Sequence, residues 1–216
     1  TGPCNPDRHY MLPPEARLPD LLGFVQEELY FVVHAARQTG KTTAMMAFAE
    51  RLRGLGYAAV WASLERSQGL EDPVQAEPIW LQAIHHRASQ QLPAADHPPD
   101  RGPALAEHSS GRLYQFLSSW AAQCPRPIVL LLDEADVISG PALISFLRQL
   151  RAGFMDRGIG QFPTSVGLIG MRDLRDYLTQ AKDGVPINPG SPFNIKSASL
   201  TLRNFTQAEV SELFAQ

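Results

Sequence analysis

Several stretches of the chain are apolar at almost every position, and the segments between them carry apolar residues at helical spacing. Residues 29–35 (LYFVVHA) form the first such run, and a strand apolar on both faces is expected at the centre of a parallel sheet. Residues 57–65 (YAAVWASLE), 127–136 (PIVLLLDEAD), 164–170 (TSVGLIG) and 197–202 (SASLTL) predict four more strands. Ahead of the first, Leu21, Leu22 and Val25 predict a short helix. After it, Ala44, Met45, Phe48 and Leu52 predict an amphipathic helix closed by a left-handed Gly54. Pro78 fits the first turn of a helix running to about Gln91 with Leu81, Ile84 and Ala88 on one face. Leu113, Phe116, Leu117, Trp120 and Ala121 mark another, and Ser139-Gly140-Pro141 starts one that carries Leu143, Ile144, Leu147 and Leu150. Leu174, Tyr177, Leu178 and Ala181 predict a helix after the fourth strand, and Thr206 with Glu209 form a capping box for the last. Strands that alternate with helices predict an α/β fold, a parallel sheet covered on both faces in three layers.

Two segments break the pattern. Residues 1–20 hold five prolines and little periodicity, so they are expected to be extended and pinned by Tyr10, Met11 and Leu12. Residues 92–103 (LPAADHPPDRGP) read as a proline-rich surface loop and the place where disorder is expected. A chain of 216 residues, 44% apolar, suits one domain with a full core. The net charge of -3 offers no global field for nucleic acid or an anionic membrane. Cys4 and Cys124 form no C-x-x-C pair, which indicates neither zinc nor a disulfide framework and suits a reducing cytoplasm. No apolar run reaches the roughly 18 to 20 residues that span a bilayer. The opening at Thr1 and a helical pattern that runs to the last residues suggest a piece of a longer protein.

The chemistry lies where the first and third strands end. Residues 35–42 (AARQTGKT) fit the phosphate-binding pattern G-x-x-x-x-G-K-[ST] at every fixed position but the first, where Ala35 replaces glycine. A tight loop between a buried strand and a helix N-terminus aims backbone N–H groups at a phosphate, with the helix dipole favouring its charge. The residues expected to hold phosphate are Ala36, Arg37, Gln38, Thr39, Gly40, Lys41, Thr42 and Thr43. Gly40 lets the backbone approach, Lys41 bridges the β and γ oxygens, and the Thr42 hydroxyl is a magnesium ligand. Ala35, at the end of the strand, is not expected to touch phosphate. The third strand ends in Asp133-Glu134, a pair suited to hold magnesium through Asp133 and to polarise a water through Glu134. Asp136 is expected to be a helix cap or a surface residue, and His34 a buried hydrogen-bonded side chain. His85 and His86 point apart on their helix and make no metal site.

These motifs resemble those of ASCE-type P-loop ATPases, near the AAA-like and STAND groups. More narrowly, CNPDRHYMLPPEARLPDLLG, FVVHAARQTGKTT, VLLLDEAD and SPFNIKSASLTLRNFTQAEVSELF are similar to a bacterial group of AAA-like ATP-binding proteins. The resemblance implies a five-stranded sheet of order 5-1-4-3-2, with a sensor residue at the end of the fourth strand. In MRDLRDY that residue is Arg172, with Arg175 as the lesser candidate. Arg37 faces either the nucleotide, a neighbouring subunit or solvent. It also implies ATP and Mg2+ as cofactors, a core at 21–205, and a helical lid whose start is 206–216. The absence of an N/T-K-x-D segment favours ATP over GTP, and Tyr10, Met11 and Leu12 either hold adenine or pack on the sheet edge.

The leading expectation is a cytoplasmic magnesium-dependent ATPase with Glu134, Lys41 and Arg172 as catalytic groups, driving attached domains and open to forming a homo-oligomer. A nucleotide-gated STAND-type switch with little turnover is the alternative. A nucleotide kinase fits less well, since no Arg-rich lid is recognisable.

Overall fold

The computed structural model describes residues 17–36, 39–100, 111–157, 161–170 and 197–215. Their elements run α1 (Leu21–Gln26), β1 (Tyr30–His34), α2 (Lys41–Gly54), β2 (Ala58–Ser63), α3 (Pro73–Gln91), α4 (Arg112–Gln123), β3 (Ile128–Asp133), α5 (Gly140–Asp156), β4 (Ser165–Gly170), β5 (Ser197–Thr201) and α6 (Gln207–Ala215). The strands form one five-stranded sheet, β2-β3-β4-β1-β5, with every neighbouring pair parallel. This is the expected order read from the other edge, and the three-layer α/β architecture is as expected.

Alternation along each strand feeds two apolar layers, since successive side chains leave the sheet on opposite faces. Tyr30, Val32, Val60, Ala62, Leu130 and Leu132 join Trp80, Phe116, Trp120 and Phe146 of α3, α4 and α5 on one face. Phe31, Val33, Ala59, Trp61, Val129 and Leu131 meet Leu21 and Val25 of α1 and Met45, Phe48 and Leu52 of α2 on the other. With both faces covered, β3 is buried at all six positions, which is why IVLLLD shows no polar alternation. β2 is an edge strand. Beside it, the Gln91 amide accepts from the Trp61 N–H at 3.0 Å and donates to the Trp61 carbonyl at 2.8 Å, while Arg53 donates to the Ala59 carbonyl at 3.1 Å.

Four local expectations need correction. α3 starts at Pro73, not Pro78: Asp72 caps it by accepting from the Val74 N–H at 2.9 Å, and Pro73 occupies the first turn. Pro78 therefore lies inside the helix and leaves the Val74 carbonyl without its helical donor. The Arg112 guanidinium donates to that carbonyl instead, at 3.1 Å. At the end of α2, Gly54 is helical and the left-handed turn falls on Gly56 (φ +94°). The expected loose loop is tied down over its first half. Asp96 is buried and paired with Arg126, and its carbonyl accepts from the Trp120 indole at 2.9 Å. Asp136, expected at a cap or the surface, instead packs half-buried against Gly170 at the end of β4.

Gly153 of α5 shows how tightly one layer closes. A Cβ there would come within 2.2–2.4 Å of three atoms of the Phe162 ring, which is buried and stacks on Tyr114 with centroids 5.5 Å apart. Gly153→Ala is expected to lower stability by about 1–3 kcal/mol through overpacking, read as a fall in thermal midpoint. An unchanged midpoint would contradict this packing.

Candidate functional site

β1 and β3 are separated by β4, and their C-terminal ends open on the same edge of the sheet. Beyond β1, the Ala35 N–H donates to the Gly170 carbonyl at 3.1 Å, so Ala35 still belongs to the sheet ladder. It is buried and is not among the described residues of positive φ, so a methyl group is accommodated where the motif has its first glycine. The Thr39 hydroxyl donates to the Ala36 carbonyl at 3.0 Å. Gly40 stands at φ +78° just before α2, a conformation that a Cβ disfavours. Its carbonyl accepts the first helical bond, from the Ala44 N–H at 2.9 Å.

Lys41, Thr42 and Thr43 form the first turn of α2. The Thr42 hydroxyl donates to Asp133 Oδ2 at 2.7 Å. Lys41 Nζ stands 3.9 Å from Asp133 Oδ1 and 3.9 Å from Glu134 Oε1, and it is buried. Asp133, 1% exposed at the end of β3, also accepts from the Glu134 N–H at 2.9 Å. Glu134 takes a left-handed backbone (φ +56°), rare for a residue with a Cβ, and its side chain is partly exposed where that of Asp133 is buried. Its carboxyl is held above the ordinary glutamate range, first by burial, then by the nearby Asp133, Asp136 and Glu65 charges, while Lys41 pulls the other way.

The arrangement therefore joins a positive-φ glycine, a helix N-terminus, a buried lysine, a hydroxyl and two carboxylates within hydrogen-bond or ion-pair reach. Thr42 and Asp133 supply two hard oxygen donors side by side, which suits magnesium, an ion that keeps several waters and takes few protein ligands. Among the described residues no cluster of three or more His, Cys, Asp and Glu side chains forms a separate metal site. The His34 ring is half-buried and hydrogen-bonds Thr201 Oγ1 at 2.7 Å on β5. Arg37, Gln38, Arg172 and Arg175 lie outside the described residues, as do Tyr10, Met11 and Leu12.

Two elements of the surroundings escaped the sequence reading. Arg17, placed there in a featureless extended segment, is buried and donates from Nη1 to the Thr39 carbonyl at 2.7 Å and from Nη2 to the Arg203 carbonyl at 2.5 Å. Its guanidinium lies 3.9 Å over the Phe205 ring. Glu77 of α3 is buried and accepts from Gln149 at 2.8 Å, Ser145 at 3.3 Å and the Arg112 N–H at 3.3 Å, bracing α3 against α4 and α5. A signal for Glu77 existed: it continues the 81, 84, 88 face of α3 one turn back. None existed for Arg17, whose partners are remote in sequence.

No protein-family model matches the chain, and no curated protein matches it in sequence. Solved structures do. A Walker-type ATPase of Pyrococcus abyssi superposes with a TM-score of 0.64 at 13% identity, covering 95% of this chain and 57% of that one. The Aeropyrum pernix ORC2 protein, solved as ADPNP-ADP complexes, gives 0.54 at 15% identity over 94% of this chain and 48% of its own. The Aeropyrum pernix ORC1 protein in complex with DNA gives 0.54 at 15% identity, covering 95% and 49%. This chain thus spans about half the length of these proteins, and at such identities the likeness establishes the fold. Among the described residues no helix is long and apolar enough to cross a membrane.

Proposed function

From the P-loop NTPase fold as premise, we propose that the chain binds ATP with magnesium at the ends of β1 and β3 and hydrolyses it. The observation that carries this reading is the junction of α2 and β3, where Thr42 bonds Asp133 and Lys41 stands between Asp133 and Glu134. These are the residue types a phosphate loop and its acidic strand bring together for phosphoryl transfer. Magnesium, when bound, neutralises charge on the β and γ oxygens. Lys41 binds the same oxygens, Gly40 and the start of α2 present N–H donors, and Thr42 and Asp133 hold the ion. Glu134 orients a water and takes up its proton. Arg172 stays the sensor candidate, on the resemblance alone.

On the resemblance of its motifs, the chain is a core whose hydrolysis moves or gates further domains, with 206–216 beginning a helical lid. A nucleotide-gated switch with slow turnover is favoured by one observation, the bonds that tie the loop through Arg17 to the segment before α6.

The test uses wild-type protein with ATP, measuring binding and phosphate release in excess magnesium and after chelation. Binding with magnesium-dependent release is the expected result. Binding with negligible release assigns the switch, and no detectable nucleotide binding removes the proposal.

A further inference from the structure

We infer that Arg17 is a positioning residue for the phosphate loop, setting the orientation of the peptide between Thr39 and Gly40. The inference rests on phosphate binding by that loop. One peptide plane carries both the Thr39 carbonyl, which accepts from Arg17 Nη1 at 2.7 Å, and the Gly40 N–H on its opposite side. Fixing the carbonyl toward the guanidinium fixes the N–H the other way, toward the anion side of the loop. Gly40 needs such a restraint because glycine visits positive and negative φ about equally, so this peptide has little intrinsic preference for its observed orientation. A charged donor on the carbonyl also polarises the peptide and strengthens its N–H as a donor.

Arg17 is itself held on two further sides. Nη2 is bonded to the Arg203 carbonyl at 2.5 Å, and the Phe205 ring supports the guanidinium face. Those supports belong to the segment after β5. Arg203 pairs with Glu209 at 2.8 and 3.1 Å, and Glu209 accepts from the Thr206 N–H at 2.7 Å within the expected capping box. The start of α6 is thereby part of the loop's support, and a displacement of α6 reaches the Gly40 N–H through one side chain.

The test compares ADP affinity, ATP kinetics and thermal midpoint for wild type, Arg17→Met and Phe205→Leu. Arg17→Met is expected to weaken ADP and raise KM for ATP by about tenfold, with kcat at saturation within about twofold, because Arg17 touches no reacting atom. Phe205→Leu, at a partly exposed position, shifts both in the same direction by a smaller factor. Folded Arg17→Met with ADP affinity within about twofold of wild type overturns the inference, as does a fall in kcat as large as the rise in KM. Should Arg17→Met not fold, Phe205→Leu decides, and unchanged ADP affinity there overturns it. A wild type that fails to bind ADP removes the phosphate-loop reading itself, whereas normal wild-type binding with an unaffected Arg17→Met removes only the role of Arg17.

Discussion

Glu134→Gln is expected to lower ATP turnover by about a hundredfold or more and to leave ATP binding nearly intact, the size of effect usual for a positioned general base. The amide keeps the shape of the side chain but accepts no proton. The left-handed backbone of Glu134 belongs to the residue's place in the turn, so glutamine inherits it without added strain. The same group fixes a pH dependence. Only the ionised carboxylate accepts a proton, and its pKa lies above the ordinary 4.5 because of burial and the acidic neighbours. Turnover should therefore rise with pH through an acid limb placed above the usual glutamate range, and Glu134→Gln should abolish that limb. Equal turnover in the two proteins would remove the catalytic role assigned here.

Lys41→Ala is expected to weaken ATP binding by about tenfold or more, the equivalent of a lost charge-assisted contact of roughly 1.5–3 kcal/mol. Without the cation, Asp133 and Glu134 also face each other with less compensation, since Lys41 is the group that opposes the upward shift of Glu134. Residual turnover in Lys41→Ala should then show an acid limb at still higher pH. ATP affinity within about twofold of wild type, by titration, would mean that the loop does not hold phosphate through this lysine.

What the sequence made legible were the features with local causes. Continuous apolar runs marked the strands, helical spacing marked α2, α4 and α5, and the capping box of Thr206 and Glu209 formed as its spacing required. The motif residues Lys41, Thr42, Asp133 and Glu134 did converge, because short turns after buried strands leave little choice of position. The order of the strands came from the resemblance, since periodicity says nothing about which strand neighbours which. Asp72-Pro73 carries the cap-and-first-turn signal for the start of α3, and Pro78, a second proline further on, offers a competing first-turn signal inside the helix. Arg17 was illegible for a different reason. Its bonds reach 22 and 186 residues along the chain, and a single arginine in a proline-rich stretch has nothing local to distinguish it.

The side chains along the outer rim of β2 bear on assembly. A bare edge strand is a template on which another chain can add its own strand and prolong the sheet. At Trp61 the amide of Gln91 already takes the donor and the acceptor that such a strand would use, and Arg53 takes the Ala59 carbonyl. A second copy that continued the sheet on this side would first have to displace Gln91 and Arg53, so these two side chains oppose assembly by strand addition along β2.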